Sequence, residues 1–381
     1  MEEKDELKTE ANTDLVISII VCSIVVLVLT PNVGPTIVSP RLLDGSLTEL
    51  GRYAFTFDAY NTIRDDDGTS IIFLGSSKMR EAINGLDIEN QTISDINVYN
   101  LAYAGERPYF RMIEIDALIQ ASPDIVVLEL GPSSFSHLTH PLTGDVFGRV
   151  KQLVALSGTP INDASYYPIL EMSDRDNLPD SNLDIQSFWA SRAPEAIELT
   201  ISFELGEDEP PYDCFGTRAN VRCVPPATNP EYTDYLRYPT QFPDWFSQMR
   251  ESGTLDDYYS MKIPDYINSS LHSVEGRYNN NHKALDFIID TLQSNGIVVV
   301  LLAIPYYPIV QSRIPVGHWD YVNQSMETYA QDPNLILLDW FWEDWGEDHF
   351  VDLSHMNTAG EIEVARRISP VIDDLLIGGQ L

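Results

Sequence analysis

The sequence predicts an α/β fold, a three-layer, doubly wound parallel sheet, on two observations. Short apolar runs recur along the chain, and such runs are typical of strands buried on both faces. Stretches with helical periodicity lie between several of them, and this alternation is typical of parallel βαβ units. With 381 residues, 44% of them hydrophobic, the chain can build one large domain or two modest ones.

The individual elements follow from these runs and from the turn residues that bound them. Strands are predicted at 69–74, 98–102, 124–130, 297–302 and 335–338. Helices are predicted at 78–84, 108–121 and 282–295, with a last one beginning near residue 358. Pro108 suits the first turn of its helix, because proline has no N–H to leave unpaired there. These predicted strands and helices indicate one sheet that is built from two separate stretches of the chain.

The strand and helix pattern is lost from about 133 to 280, a stretch rich in Asp, Pro, Tyr and Asn. It is too long for a loop, so we expect an inserted subdomain within a domain that spans 69–381. Residues 35–68 are expected to form a linker, since they are rich in Pro, Thr and short apolar pieces.

An apolar segment precedes the linker. Leu15–Leu29 contains no charged residue, and a bilayer core of ~30 Å needs roughly 20 apolar helical residues. We expect an uncleaved transmembrane signal anchor over 15–34, preceded by a cytoplasmic tail over 1–14. A cleaved signal peptide is the alternative, although no A-x-A-like site follows and the tail is acid-rich rather than basic.

Cysteine positions and glycosylation sequons favour an extracytoplasmic main domain. Cys214 and Cys223 flank a loop and are predicted to form a disulfide, which suits an oxidising compartment. Asparagine sequons compatible with glycosylation outside the cell occur at Asn90, Asn268 and Asn323. We therefore predict a single-pass cell-membrane protein.

The charge balance excludes one class of partner. The formal net charge is −35, from 58 acidic and 23 basic residues, so the surface repels nucleic acid. The acidic residues Asp174, Asp176, Asp180 and Asp184 do not fit a calcium-loop spacing and are interpreted as a solvated loop. We expect no metal and no cofactor.

Chemistry-bearing residues fall where strands end. Ser77 follows the first strand, Gly105 the second and Ser133 the third, while Asp352 and His355 precede the last helix. Ligands of such sheets bind at the carboxyl ends of the strands. A serine, a histidine and a carboxylate can supply nucleophile, base and orienting acid. Taken singly, the serine could be a helix cap and the histidine a surface residue.

The order of these motifs resembles that of the SGNH (GDSL-like) hydrolases. The family's G-D-S block falls on Gly75–Ser77, with Ser76 in place of Asp, and its second-block glycine on Gly105. Its G-x-N block falls on Gly131–Ser133, where serine replaces Asn, and D-x-x-H on Asp352–His355. The likeness covers about 69–131 and 282–375 and is nearest to envelope branches similar to alginate acetyltransferases and DltD-like proteins.

The resemblance implies a role for each matched residue. Ser77 would be the nucleophile, His355 its base and Asp352 the carboxylate that orients the imidazole. The backbone amides of Ser77 and Gly105 would stabilise the oxyanion, with the Ser133 hydroxyl in place of the Asn amide. Losing one such donor typically costs about 10²–10³ in rate.

These observations predict a membrane-anchored serine esterase or O-acyltransferase acting on acyl esters of envelope glycans or lipids, with a membrane-bound acyltransferase as a possible partner. The alternative is a catalytically inactive binding or accessory module of an envelope assembly, which Ser133 favours. Arg107 would bind an anionic substrate or form a salt bridge. Trp340, near Trp342 and Trp345, would stack on a sugar or pack the insert on the sheet.

Overall fold

A computed structural model describes residues 16–18, 20–24, 49–65, 68–192, 245–269 and 280–378. Its centre is a five-stranded sheet in which every neighbouring pair is parallel, in the order β2-β1-β3-β4-β5. The strands are β1 (Thr69–Leu74), β2 (Ile96–Asn100), β3 (Ile125–Glu129), β4 (Val298–Ala303) and β5 (Ile336–Asp339). The predicted α/β fold with a parallel sheet is confirmed, and strand bounds differ from prediction by at most two residues.

Helices surround this sheet. They are α1 (Glu49–Arg64), α2 (Ser77–Ala82), α3 (Gly85–Gln91), α4 (Pro108–Arg111), α5 (Ile115–Ala121), α6 (Gly144–Ser157), α7 (Met172–Arg175), α8 (Trp245–Ser252), α9 (Leu255–Ser269), α10 (Asn280–Ser294), α11 (Pro308–Arg313), α12 (Asp320–Ala330) and α13 (Thr358–Ile377). Residues 182–192 are also helical. Short 3₁₀ turns cover Met112–Glu114, Pro132–Phe135, Ile161–Asp163 and Glu347–His349.

The helices form two groups, as a doubly wound sheet requires. One group contains α1, α5 and α6, with α10 against α4 and α5; the other contains α2 and α3 packed against α13. The order 2-1-3-4-5 is common among doubly wound sheets, and it reverses direction between β1 and β3. The chain leaves β1 toward one edge of the sheet and later enters β3 on its other side. In sheets of this kind, ligands bind in the crevice at such a reversal.

Backbone hydrogen bonds bring the carboxyl ends of the strands to one edge. Beyond β2, the N–H of Tyr103 donates to the carbonyl of Gly75 at 3.0 Å. Beyond β3, the N–H of Leu130 donates to Leu302, and beyond β5 that of Trp340 donates to Ala303. Loops that follow different strands therefore meet at the same edge.

The predicted linker is wrong for residues 49–64, which form α1. Tyr53, Phe55, Tyr60 and Ile63 of this helix lie fully within the hydrophobic core. The buried Tyr60 hydroxyl also donates to Glu114 Oε2 at 2.8 Å. Aromatic residues scattered among polar ones do not form a clean apolar stripe, so the sequence pattern alone did not reveal the helix.

The described parts of the predicted insert contain several helices, and side chains of these helices share the main core. Val150 and Leu153 of α6 and Phe246 of α8 are buried in the same hydrophobic cluster as the sheet. The interpretation of the acidic residues as a solvated loop is wrong for Asp174, which is 1% exposed. Residues 193–244 and 270–279, including Cys214 and Cys223, lie outside the described residues.

At the N-terminus, residues 16–18 and 20–24 are helical, and the apolar side chains of Val16, Ile17, Ile20, Val21 and Ile24 are exposed. Among the helices within the described ranges, none combines the length and apolarity that crossing a membrane requires. The rest of the predicted anchor, and the predicted tail, lie outside those ranges.

Candidate active site

The turn after β1 presents Ser77 at the first position of α2. Ser76 is the N-cap in extended conformation, and its hydroxyl accepts the Lys78 N–H at 3.2 Å. The Ser77 N–H belongs to the first turn, where amides have no acceptor inside the helix. The turn therefore offers both a hydroxyl and a backbone donor at the carboxyl edge of the sheet.

The second half of the site is a hairpin-like loop before α13. Phe350 and Met356 form an isolated antiparallel bridge, and the Val351 N–H donates to the His355 carbonyl at 3.0 Å. Inside the loop, Asp352 Oδ1 accepts the backbone N–H groups of Ser354 and His355, both at 2.8 Å. These two backbone hydrogen bonds orient the Asp352 carboxylate within its own loop.

The two halves meet in a continuous chain of hydrogen bonds. His355 Nε2 lies 2.8 Å from Ser77 Oγ, although the residues are 278 positions apart. On the other side of the ring, His355 Nδ1 lies 2.7 Å from Asp352 Oδ2. This is the geometry of a nucleophile, a base and an orienting acid, with both distances inside hydrogen-bond range.

Burial and mutual attraction set the charges of this pair. Burial by itself would raise the pKa of Asp352, but His355 and the hydrogen bonds from the loop lower that pKa below its ordinary value. Burial would lower the pKa of His355, but the Asp352 charge and hydrogen bond raise it above 6.5. The arrangement therefore stabilises an imidazolium beside a carboxylate, the state that follows proton abstraction from serine.

Of the predicted oxyanion residues, Ser133 lines a small cavity beside the serine turn, and residues next to Ser77 and Gly105 line it too. Gly105 has φ +66°, a left-handed conformation that favours glycine. Its neighbour Glu106 lines a cavity of about 20 Å³ together with Ser76 and Ser133. Among the described residues, the Ser133 hydroxyl has no hydrogen-bond partner, whereas its carbonyl accepts from Ser136 Oγ at 2.9 Å. Ser133 and Ser76 therefore line the same cavity, with the Ser133 hydroxyl unbonded within the described residues.

Arg107 lies at this cavity, and Trp340 packs within the fold. The Arg107 Nη1 donates to Ser136 Oγ at 3.0 Å, and within the described ranges Arg107 forms no ion pair. Burial lowers the Arg107 pKa, and neighbouring Arg149 lowers it further. Trp340 is 8% exposed, with its ring centroid 5.4 Å from that of Trp345. Arg107 therefore lies at the cavity bonded to a serine hydroxyl, and Trp340 packs against Trp345.

Sequence reasoning missed two charged residues at the turn. Lys78 Nζ donates to the Ile304 carbonyl at 2.9 Å and lies 3.6 Å above the Tyr306 ring. Burial lowers the Lys78 pKa to about 8, although Glu129 opposes this. Glu129 bonds Ser76 directly. The sequence does contain a signal for Glu129, because it is a charged residue at the end of an otherwise apolar strand. Burying such a charge costs free energy, so a buried charge indicates a specific role.

Aromatic residues of α8 and α9 support the Asp-His loop from outside. The Phe246 N–H donates to the Val351 carbonyl at 3.1 Å, and the Tyr307 N–H donates to the Leu353 carbonyl at 3.2 Å. The hydroxyls of Tyr259 and Tyr307 lie 2.7 Å apart. Part of the predicted insert therefore contacts the loop that carries Asp352 and His355.

Comparison of the chain with protein-family models gave no match, and comparison with curated protein sequences gave none either.

Proposed function

We propose that this protein is an SGNH-type serine esterase or O-acyltransferase. The observation that carries the proposal is the chain of hydrogen bonds from Ser77 through His355 to Asp352, which begins at the turn after β1. The order of the motifs along the sequence supports the same reading. Helix caps and surface histidines do not require such a chain, so the simpler interpretations of Ser77 and His355 explain less of the geometry.

The first half-reaction forms an acyl-enzyme. Ser77 Oγ attacks the ester carbonyl carbon as His355 Nε2 takes the serine proton, and Asp352 stabilises the resulting imidazolium. The tetrahedral intermediate then collapses, the bond to the leaving oxygen breaks, and His355 returns its proton to that oxygen. The acyl group remains on Ser77.

The second half-reaction releases the acyl group to water or to an acceptor hydroxyl. His355 takes a proton from the attacking oxygen, and Ser77 Oγ leaves with that proton. Water gives hydrolysis, whereas a sugar or lipid hydroxyl gives transfer. In both halves the oxyanion would be stabilised by the amides of Ser77 and Gly105, with the Ser133 hydroxyl as third donor.

The substrate class follows from the expected setting. The apolar segment Leu15–Leu29 is proposed as a membrane anchor, and the predicted Cys214–Cys223 disulfide and the sequons fit an extracytoplasmic domain. The substrates we propose are acyl esters of envelope glycans or lipids. Arg107, half-buried at the cavity, would bind an anionic group of such a substrate. A membrane-bound acyltransferase is the proposed acyl supplier in a transfer reaction.

A non-catalytic binding or accessory role is the second candidate. The observation that favours it is Ser133, since a hydroxyl reaches less far than the amide expected from the resemblance. Under this reading the Ser77–His355–Asp352 chain persists without turnover, and the fold serves an envelope assembly.

Ester hydrolysis by the purified full-length chain separates the two candidates. With p-nitrophenyl acetate as substrate, we expect release of p-nitrophenol by the wild type and none above background by Ser77→Ala. Adding an oligosaccharide acceptor and detecting its acetylated form by mass spectrometry distinguishes transfer from hydrolysis. A wild type no faster than Ser77→Ala would remove the enzymatic proposal.

A further inference from the structure

Glu129 ends a strand that is otherwise apolar and fully buried. The β3 sequence is Ile-Val-Val-Leu-Glu, and the Glu129 side chain is in the interior at 9% exposure. A buried carboxylate is costly unless its oxygens are bonded. Among the described residues no arginine or lysine forms a direct ion pair with it. Lys78 attracts it from farther away, and its direct partners are hydrogen-bond donors.

Those hydrogen bonds converge on the turn that carries the nucleophile. Glu129 Oε2 accepts the Ser76 N–H at 2.5 Å, and Oε1 accepts the Ser76 hydroxyl at 3.0 Å. The same Ser76 hydroxyl accepts the Lys78 N–H and so caps α2. One carboxylate therefore holds Ser76 at two points, and Ser76 in turn holds the residue after Ser77. The donor pattern on both oxygens suits an ionised carboxylate.

The glycine of the motif is explained by the same carboxylate. A Cβ atom added to Gly75 would lie 2.6 Å from the Cβ and Oε2 atoms of Glu129, and 2.6 Å from the Cβ of Met79. The backbone and the carboxylate therefore approach too closely for any side chain at this position. Gly75 and Glu129 therefore pack directly against each other at the carboxyl ends of β1 and β3.

We propose that Glu129 is a positioning residue that fixes the Ser76–Ser77 turn so that Ser77 Oγ meets His355 Nε2. Its significance for catalysis rests on the function proposed above. Ser76 stands where the resemblance would place an aspartate, and Glu129 brings a carboxylate to that turn from the neighbouring strand. Its role is to orient Ser77 through Ser76, without contact with the substrate.

The proposal is tested with full-length Glu129→Ala, Glu129→Gln and Ser76→Ala. Glutamine can accept the Ser76 N–H through its carbonyl and donate to the Ser76 hydroxyl through its amide, so it keeps both contacts without the charge. Alanine keeps neither. A displacement near 1 Å can cost about 10²-fold in rate. We expect labelling by a fluorophosphonate to slow about 10²-fold in Glu129→Ala, about 10-fold in Ser76→Ala, and less than about 3-fold in Glu129→Gln.

Crystal structures of the same variants supply a readout that does not depend on activity. In Glu129→Ala the distance from Ser77 Oγ to His355 Nε2 is expected to exceed 3.5 Å, the limit for a hydrogen bond. In Glu129→Gln it should stay near the 2.8 Å of the wild type. A wild type that fails to react with the probe would count against the proposed function, while the distances would still decide the positioning role.

Glu114→Gln is the matched control. Glu114 is a fully buried carboxylate that bonds Arg111 and Tyr60, not the serine turn. We expect this variant to lower the melting temperature and leave the labelling rate unchanged. An unchanged rate and an unchanged distance in Glu129→Ala would overturn the proposal, as would a Glu129→Gln as impaired as Glu129→Ala. If Glu129→Ala does not fold, an unchanged rate and distance in Ser76→Ala would overturn it.

Discussion

Within the described ranges, two partly buried histidines each pair with a buried aspartate in nearly the same geometry. His355 Nδ1 lies 2.7 Å from Asp352 Oδ2, and His140 Nδ1 lies 2.7 Å from Asp174 Oδ2. Both carboxylates are shielded from solvent. The pairs differ in what the far ring nitrogen meets. At His355 it faces the Ser77 hydroxyl at 2.8 Å, and at His140 it faces an amide, Nδ2 of Asn280, at 2.7 Å.

The third partner distinguishes the two pairs. The NH2 group of Asn280 can only donate, so with Nδ2 at this position Nε2 of His140 is the acceptor of that bond and is not open to a substrate proton. Asp174 is further bonded by the Tyr109 hydroxyl at 3.0 Å and the Leu142 N–H at 2.7 Å. This second pair joins the insert to α4 and α10. The first pair ends instead on a hydroxyl that can be activated.

The largest expected effect is the loss of the base. His355→Ala leaves Ser77 without a proton acceptor, so fluorophosphonate labelling should fall by about 10⁴-fold or more. The rate is measured by intact-protein mass spectrometry over time. Labelling of His355→Ala within tenfold of the wild type would show that the serine is not activated by this histidine.

Removing the orienting charge should have a smaller effect and change the pH profile. Asp352→Asn is expected to slow ester hydrolysis by about 10³–10⁴-fold, because the imidazole loses its orientation and the stabilisation of its charged form. Only neutral imidazole accepts the serine proton, and Asp352 raises the His355 pKa above 6.5. Wild-type activity should therefore be lost as pH falls through a value above 6.5. In Asp352→Asn this acid limb should move to lower pH, and an unmoved limb would contradict the assignment.

The third oxyanion donor should contribute less again. Ser133→Ala removes a hydroxyl that lies at the cavity beside Ser76, and we expect kcat/KM for p-nitrophenyl acetate to fall by about tenfold. This is below the usual cost of an oxyanion donor, because the hydroxyl reaches less far than an amide. Ser133→Asn serves as the companion variant and should retain or exceed wild-type activity. Equal kcat/KM in Ser133→Ala and wild type would exclude Ser133 from the oxyanion site.

The smallest effect on chemistry is expected at the second pair. His140→Ala leaves Asp174 with fewer donors in a buried site, so the free energy of unfolding should fall by about 1–3 kcal/mol. Denaturant titration measures this loss. The labelling rate of the folded protein should stay within about threefold of wild type, and a large fall would mean that the two pairs are not functionally distinct.

Long-range packing explains what the sequence could and could not predict. Buried strands such as Thr69–Leu74 produce unbroken apolar runs, so they were predicted almost residue for residue. Helix α1 and the burial of Asp174 depend on partners far along the chain, which no local pattern records. The D-x-x-H spacing revealed Asp352 and His355 because their contact is local. Glu129 meets Ser76 across 53 residues, and only its place at the end of an apolar strand distinguished it.

We propose that Ser77 is a nucleophile activated by His355. The full-length protein is treated with a fluorophosphonate, and the modified residue is mapped by peptide mass spectrometry. We expect a single adduct on Ser77 that is absent from His355→Ala but present in His140→Ala. An unmodified protein, or an adduct on another serine that persists in His355→Ala, would contradict it.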